Sequence, residues 1–332
     1  MRNYVSLLAG MAFAFLFVFT SCSKDESVLP AQEITTEEDN ARRVSGPSIV
    51  DFVRTNPDFQ VLYQAILRVN SVRTILNGRV PVTVFAPTDA AFMDLLNAAG
   101  FSSLNAVPLD VLKTILTGHI ITNDVLEAAD ITTGYYETIG TTPFGVQAPA
   151  SIYISTANGV TINGTSNVVT PNVTVGSGII HVVDAVINPG NIVGFAVNDP
   201  NFSSLVAALT RPDLSVDFVA ALSQPGPFTV LAPTNQAFTN LLNSNPAWNS
   251  LNDIPAALLE QVLLYHVTAD GNVRSGNLFN GLTATSLQGT NWYFNLSNGV
   301  QIVAGSNTAN VIATDVQGQN GVIHAIDAVI LP

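Results

Sequence analysis

The feature that most constrains this 332-residue chain is that most of it is written twice. Ile49-Val50-Asp51-Phe52 is echoed by Ile192-Val193-Gly194-Phe195, and Asn56-Pro57-Asp58-Phe59 by Asp199-Pro200-Asn201-Phe202. Thr83-Val84-Phe85-Ala86-Pro87-Thr88-Asp89-Ala90-Ala91-Phe92 returns as Thr229-Val230-Leu231-Ala232-Pro233-Thr234-Asn235-Gln236-Ala237-Phe238. Gly178-Ile179-Ile180-His181-Val182-Val183-Asp184 returns as Gly321-Val322-Ile323-His324-Ala325-Ile326-Asp327. An offset of about 145 residues is too long for a solenoid unit and right for a duplicated domain. The short joint Asn188-Pro189-Gly190-Asn191 predicts two domains, 46–189 and 190–332, that touch and keep a preferred orientation.

Within each copy the hydrophobic period changes. Phe59, Leu62, Tyr63, Ile66 and Leu67 follow helical spacing, as do Phe202, Leu205, Val206 and Leu209. Residues 82–85 and 228–231 are short β-prone runs, each followed by Ala-Pro-Thr and a further apolar helical stripe. Thr88 and Thr234 stand where a hydroxyl can cap that helix, and Pro108 and Pro255 announce another. The later part of each copy is strand-rich, with hairpin signals at Asn158-Gly159 and Asn298-Gly299. The fold class read from this order is α+β: two tandem domains, each a β-sandwich or wedge sheet packed with several helices.

The first 45 residues are of another kind. Arg2 and the apolar run 5–19 form a signal-peptide pattern over residues 1–21. It ends at Thr20-Ser21-Cys22, with two small residues before the chain's one cysteine, a thiol that has no internal disulfide partner. Cys22 in this setting resembles the acylation site of a bacterial lipoprotein, which predicts a lipid anchor in the cell envelope at the outer membrane. Residues 22–45 are polar and acidic and read as a flexible tether on the order of 30 Å long. The Ser-Lys-Asp-Glu run after Cys22 resembles the export signal of surface lipoproteins in Bacteroidetes-type bacteria. The net charge of -13 leaves no basic patch to neutralise phosphates, so nucleic acid is not an expected partner.

The two motif pairs, with a later helix ending at a histidine, resemble the fasciclin-1 (FAS1) family over essentially the whole chain beyond the tether. The resemblance implies an extracellular or surface-anchored adhesion module, usually in tandem and without a catalytic site. The family's Tyr-His pair falls on Tyr265-His266, where the first copy has Gly118-His119. An Asp-Ile pair linked to receptor adhesion in some animal members falls on Asp253-Ile254, against Ala106-Val107 in the first copy. These four residues are the candidate partner-binding positions. The resemblance assigns structural roles to Thr83, Pro87, Thr88, His119, His181, Asp184, Thr229, Pro233, Thr234, His324 and Asp327.

The four histidines admit a metal or proton-transfer site or a structural role, and spacing favours the latter. His119 follows Leu112, Ile115 and Leu116 on one helical face, as His266 follows Leu259, Val262 and Leu263. A ring there can donate to a free carbonyl, and the helix dipole is expected to favour its protonated form. His181 and Asp184 point to opposite faces of one strand, and a four-ligand zinc site lacks thiols. No Gly-x-Ser-x-Gly elbow or His-Glu-x-x-His is present, so no enzyme, cofactor or metal is expected. The leading expectation is an adhesion lipoprotein engaging cell-surface or matrix proteins or glycans. The alternative is a carbohydrate- or small-ligand-binding lipoprotein of a nutrient-uptake system, for which Tyr135, Tyr136, Trp248, Trp292 and Tyr293 would be exposed aromatics. A passive spacer is the third class.

Overall fold

The computed structural model describes residues 46–332, with the backbone alone for 145–147. The signal segment, Cys22 and the tether lie outside the described residues. The first repeat runs α1 (Ile49–Thr55), α2 (Gln60–Arg68), α3 (Asn70–Leu76), β1 (Val82–Pro87), α4 (Asp89–Ala98), α5 (Leu109–Gly118) and β2 (Ile120–Thr122). It closes with β3 (Gly134–Thr142), β4 (Gly145–Ser155), β5 (Thr161–Ile162), β6 (Ser166–Val175) and β7 (Gly178–Val183). The second repeat opens with α6 (Ile192–Asn198), α7 (Ser203–Leu209), α8 (Phe218–Leu222), β8 (Phe228–Pro233), α9 (Asn235–Asn243), α10 (Ala256–Tyr265) and β9 (Val267–Thr268). It ends with β10 (Thr283–Thr285), β11 (Asn291–Asn295), β12 (Gln301–Val303), β13 (Thr308–Gly318) and β14 (Gly321–Ile326).

Each repeat therefore carries its helices early and completes its sheet late. Both sheets have seven strands in matching order, β2-β1-β7-β6-β5-β4-β3 and β9-β8-β14-β13-β12-β11-β10. The repeated Thr-Val-Phe/Leu-Ala-Pro run is an inner strand, next to the short edge strand β2 or β9. It pairs in parallel with the last strand of its own repeat, Val82 opposite Gly178 and Phe228 opposite Gly321. This inner strand is covered on both faces, which is why the run is apolar throughout instead of alternating. All six residues of β1 are buried.

The long strands β6 and β13 are interrupted by register shifts at Thr170 and Ala313, which bend them and fold the outer half of each sheet over the inner half. Two cores result in each repeat. Val82, Val84 and Ala86 face the helices with Phe59, Phe92 and Leu112, whereas Phe85 faces the folded-over strands with Ile152, Ile154 and Ile162. The wedge is thus one bent mixed sheet with helices on one side. Thr88 and Thr234 cap α4 and α9 by accepting from the N–H groups of Ala91 (3.3 Å) and Ala237 (3.4 Å). Pro108 and Pro255 sit at the caps of α5 and α10, one residue before the first turn. The short helices α3 and α8 carry no strong periodicity and were not expected from sequence.

The two repeats fall within a single compact unit. Tyr153 of β4 is buried in the core of the second repeat, and Tyr135 of β3 meets Phe195 of α6 edge-on at 5.6 Å. Polar links flank this contact: Ser151 Oγ accepts from the Gln317 N–H (3.0 Å), and Asn198 Nδ2 donates to the Asn163 carbonyl (3.2 Å). Asn163 Nδ2 in turn holds the Asn188 carbonyl of the joint (2.9 Å). Burial, with the Asp199 carboxylate nearby, raises the pKa of both the Tyr135 and the Tyr153 phenol.

Candidate functional site

The paired motif residues assemble into the same device in each repeat. Thr83 Oγ1 donates to the Asp124 carbonyl (3.1 Å) and accepts from the Leu126 N–H (2.9 Å). His181, on the neighbouring strand, bonds the Leu126 carbonyl through Nε2 (2.8 Å) and accepts from the Asn172 N–H through Nδ1 (3.4 Å). The second repeat repeats this with Thr229 on Gly271 and Val273, and with His324 on Val273 (2.7 Å) and Asp315. One strand residue and one histidine thus pin a crossing loop by its backbone.

His119 and His266 form the second clip. Each bonds the carbonyl four residues back through Nδ1 (2.7 Å in both) and accepts a distant backbone N–H through Nε2, from Ile187 (2.9 Å) and Ile330 (3.0 Å) respectively. A ring that donates from Nδ1 and accepts at Nε2 is the neutral tautomer. Burial lowers both pKa values to about 4. The expected preference for the protonated form is therefore overturned. Protonation would set a second N–H against the donor from Ile187 or Ile330, and complete burial outweighs the helix dipole. His181 and His324 are lowered by burial too. Asp184 and Asp327 point away from these rings, and each takes both the N–H and the side-chain amide of an asparagine, Asn167 or Asn310. Among the described residues, no three His, Cys, Asp or Glu side chains gather as metal ligands would.

The four candidate partner-binding residues are split by the structure. Asp253-Ile254 precede α10 and Tyr265-His266 end it, so a ten-residue helix of about 15 Å separates the pairs. Ile254, Tyr265 and His266 are buried, and only Asp253 is exposed. The Asp253 carboxylate accepts from the N–H groups of Asn249 and Ser250 (2.8 Å each), which lowers its pKa. Tyr265 is buried with Trp292 and Phe294 in the strand-side core of the second repeat, its hydroxyl donating to the Asn291 carbonyl (2.9 Å) and accepting from the Gly305 N–H (3.1 Å). In the first repeat Gly118 takes this place beside the longer β3, where a methyl added at Gly140 would lie 3.3 Å from the Gly118 nitrogen.

Sequence reasoning missed the arginine that fixes the Asp253 turn. Arg211, its side chain 7% exposed, donates from Nη1 to the carbonyls of Leu251 (2.7 Å) and Ile254 (2.9 Å) and pairs with Asp213. Arg68 does the same for Leu104 and Val107. The repetition of Arg at matching positions was the available signal. Of the five aromatics considered as a sugar platform, Trp292 is in the core and donates to the Tyr265 carbonyl (3.1 Å). Tyr135 belongs to the repeat interface, the Tyr136 hydroxyl bonds Thr132, and Trp248 packs against the helix-side core of the second repeat. Tyr293 alone is 43% exposed.

The fasciclin domain model matches residues 57–189 and 200–332. An uncharacterized protein of Synechocystis sp. is 38% identical over 141 residues, 42% of this chain and 97% of that protein. Human periostin is 24% identical over 279 residues, 79% of this chain but 30% of periostin. Among solved structures, a FAS1 domain pair from the insect cell adhesion molecule fasciclin I superposes with a TM-score of 0.51 at 18% identity, covering 81% of this chain and 95% of that one.

Proposed function

The chain belongs to the fasciclin domain family, and from that premise we propose that it is a non-enzymatic adhesion protein, lipid-anchored at Cys22 in the outer membrane, whose paired repeats engage a cell-surface or matrix protein. The observation that carries this reading is what the polar residues shared by the two repeats are occupied with. His119, His181, His266, His324, Thr83 and Thr229 all hold backbone groups inside the fold, leaving none of them to do chemistry on a substrate. What the fold offers outward is a firmly braced surface. Asp253 is its one exposed member of the adhesion-linked positions, and Arg211 fixes the turn that presents it.

The test is saturable binding of the full chain to a panel of matrix and cell-surface proteins, compared with Asp253→Ala. A partner bound by the wild type and weakened by Asp253→Ala, with unchanged thermal melting, supports the reading. Binding to none of the panel would leave the spacer as the better account. Anchoring is tested separately: Cys22→Ser should release the protein from membranes, and retention in the membrane fraction would remove the lipid anchor.

A further inference from the structure

Between the repeats lies a cleft of about 510 Å³, lined by Phe144 and Ala148 of the first repeat and by Asn272, Arg274, Ser275, Asn277 and Asp315 of the second. Its volume is within the range of small-molecule sites, which favour domain interfaces. The duplication supplies an internal control for its chemistry. The Thr–His clip holds the backbone of Asp124 and Leu126 in the first repeat and of Gly271 and Val273 in the second, in the same pattern of bonds. Asn172 and Asp315 both adopt left-handed backbone, at φ 62° and 64°. Both accept from the loop, Asn172 from the Ala128 N–H and Asp315 from the Ser275 N–H (2.8 Å each). On this shared backbone the side chains differ where the cleft lies: Val125 becomes Asn272, Glu127 becomes Arg274, Ala128 becomes Ser275 and Asn172 becomes Asp315.

The loop that carries Val125, Glu127 and Ala128 in the first repeat therefore carries Asn272, Arg274 and Ser275 in the second, with the Ser275 hydroxyl donating to Asp315. We propose that this inter-repeat cleft binds a neutral saccharide, with Arg274, Ser275, Asn277 and Asp315 meeting its hydroxyls and Phe144 covering an apolar face of the ring. Charge decides for a neutral ligand. Arg274 lies 3.3 Å from Glu137 and 3.7 Å from Asp315, so one guanidinium already answers two carboxylates. An added anion would face uncompensated negative charge, and a cation would compete with a held arginine. A hydroxyl can donate to Asp315 and accept from Arg274 at once, so a polyol suits fixed groups of both signs. An apolar ligand would bury these charges without hydrogen bonds, at a cost of several kcal/mol.

The experiment is calorimetric titration of the full chain with maltose, cellobiose, lactose and diacetylchitobiose, and with digalacturonate as the anionic comparison. The key variant is Ser275→Ala/Asp315→Asn, which installs the side chains that the first repeat carries at the matching positions, with its thermal melting measured alongside. We expect saturable binding of at least one neutral disaccharide, at least about tenfold weakened in this variant and in Phe144→Ala. Asp253→Ala should leave it unchanged, which separates failure here from failure of the adhesion reading. Absence of saturable binding by every neutral sugar, binding undiminished in the double variant, or preference for digalacturonate would overturn the proposal.

Discussion

The four histidines show how a titratable side chain can be turned into a structural one. His119 and His266 each join two backbone groups that lie far apart in the chain, and their acceptor nitrogens require the neutral ring. Their folded pKa of about 4 lies below the ordinary 6.5. Above pH 6.5 neither the folded nor the unfolded chain holds the extra proton, and these residues contribute no pH dependence. Between 6.5 and 4 the unfolded chain takes up protons that the folded chain refuses. Stability should therefore fall as pH falls through this window, by about 3 kcal/mol per histidine at its lower end. Capped carboxylates such as Asp253 act lower, because their stabilisation is lost only below the ordinary carboxylate range. Denaturant unfolding followed from pH 7 to pH 4.5 checks this; constant stability over that interval would contradict the neutral-clip account.

Among the elements, the parallel pair formed by β1 with β7, and by β8 with β14, has the least tolerance. Gly321 lies so close to β8 that a methyl group would stand 2.4 Å from the Phe228 carbonyl oxygen, and at Gly178 the distance to the Val82 oxygen would be 2.7 Å. Both contacts are to backbone, so neither can be relieved by turning a side chain. Gly321→Ala should cost about 1–3 kcal/mol by forcing the strands apart, read as a lowered denaturant midpoint. A midpoint equal to wild type would mean that the sheet yields there. The helix caps are softer: removing the Thr234 hydroxyl loses one hydrogen bond, worth about 1 kcal/mol.

For the whole molecule, the decisive contact is the surface that Tyr135 and Tyr153 share with Phe195. Tyr153 is 2% exposed although its strand belongs to the first repeat, so separating the repeats uncovers core as well as surface. Unfolding by calorimetry should give one coupled transition, and Phe195→Ala should lower it by about 3–5 kcal/mol. Two resolved transitions in the wild type would show that the repeats unfold independently. The equivalent of Tyr153 in the second repeat, Tyr293, is 43% exposed, so duplication of sequence has not duplicated burial.

Much of this was legible in the sequence because it depends on neighbours in the chain. The duplication, the apolar strands β1 and β8, the caps at Thr88 and Thr234 and the helices after Pro108 and Pro255 follow from periodicity and hydrogen bonds spanning a few residues. The tertiary structure decided which polar groups meet across long stretches of chain. His119 finds Ile187, Arg211 finds Leu251 and Ile254, and Tyr265 is drawn into the core with His266, leaving Asp253 alone outside. Local pattern says only that such a residue needs a partner; the partner is set by how strands cross and sheets bend. For the same reason the cleft beside Arg274 could not be read from either repeat, since its walls belong to both.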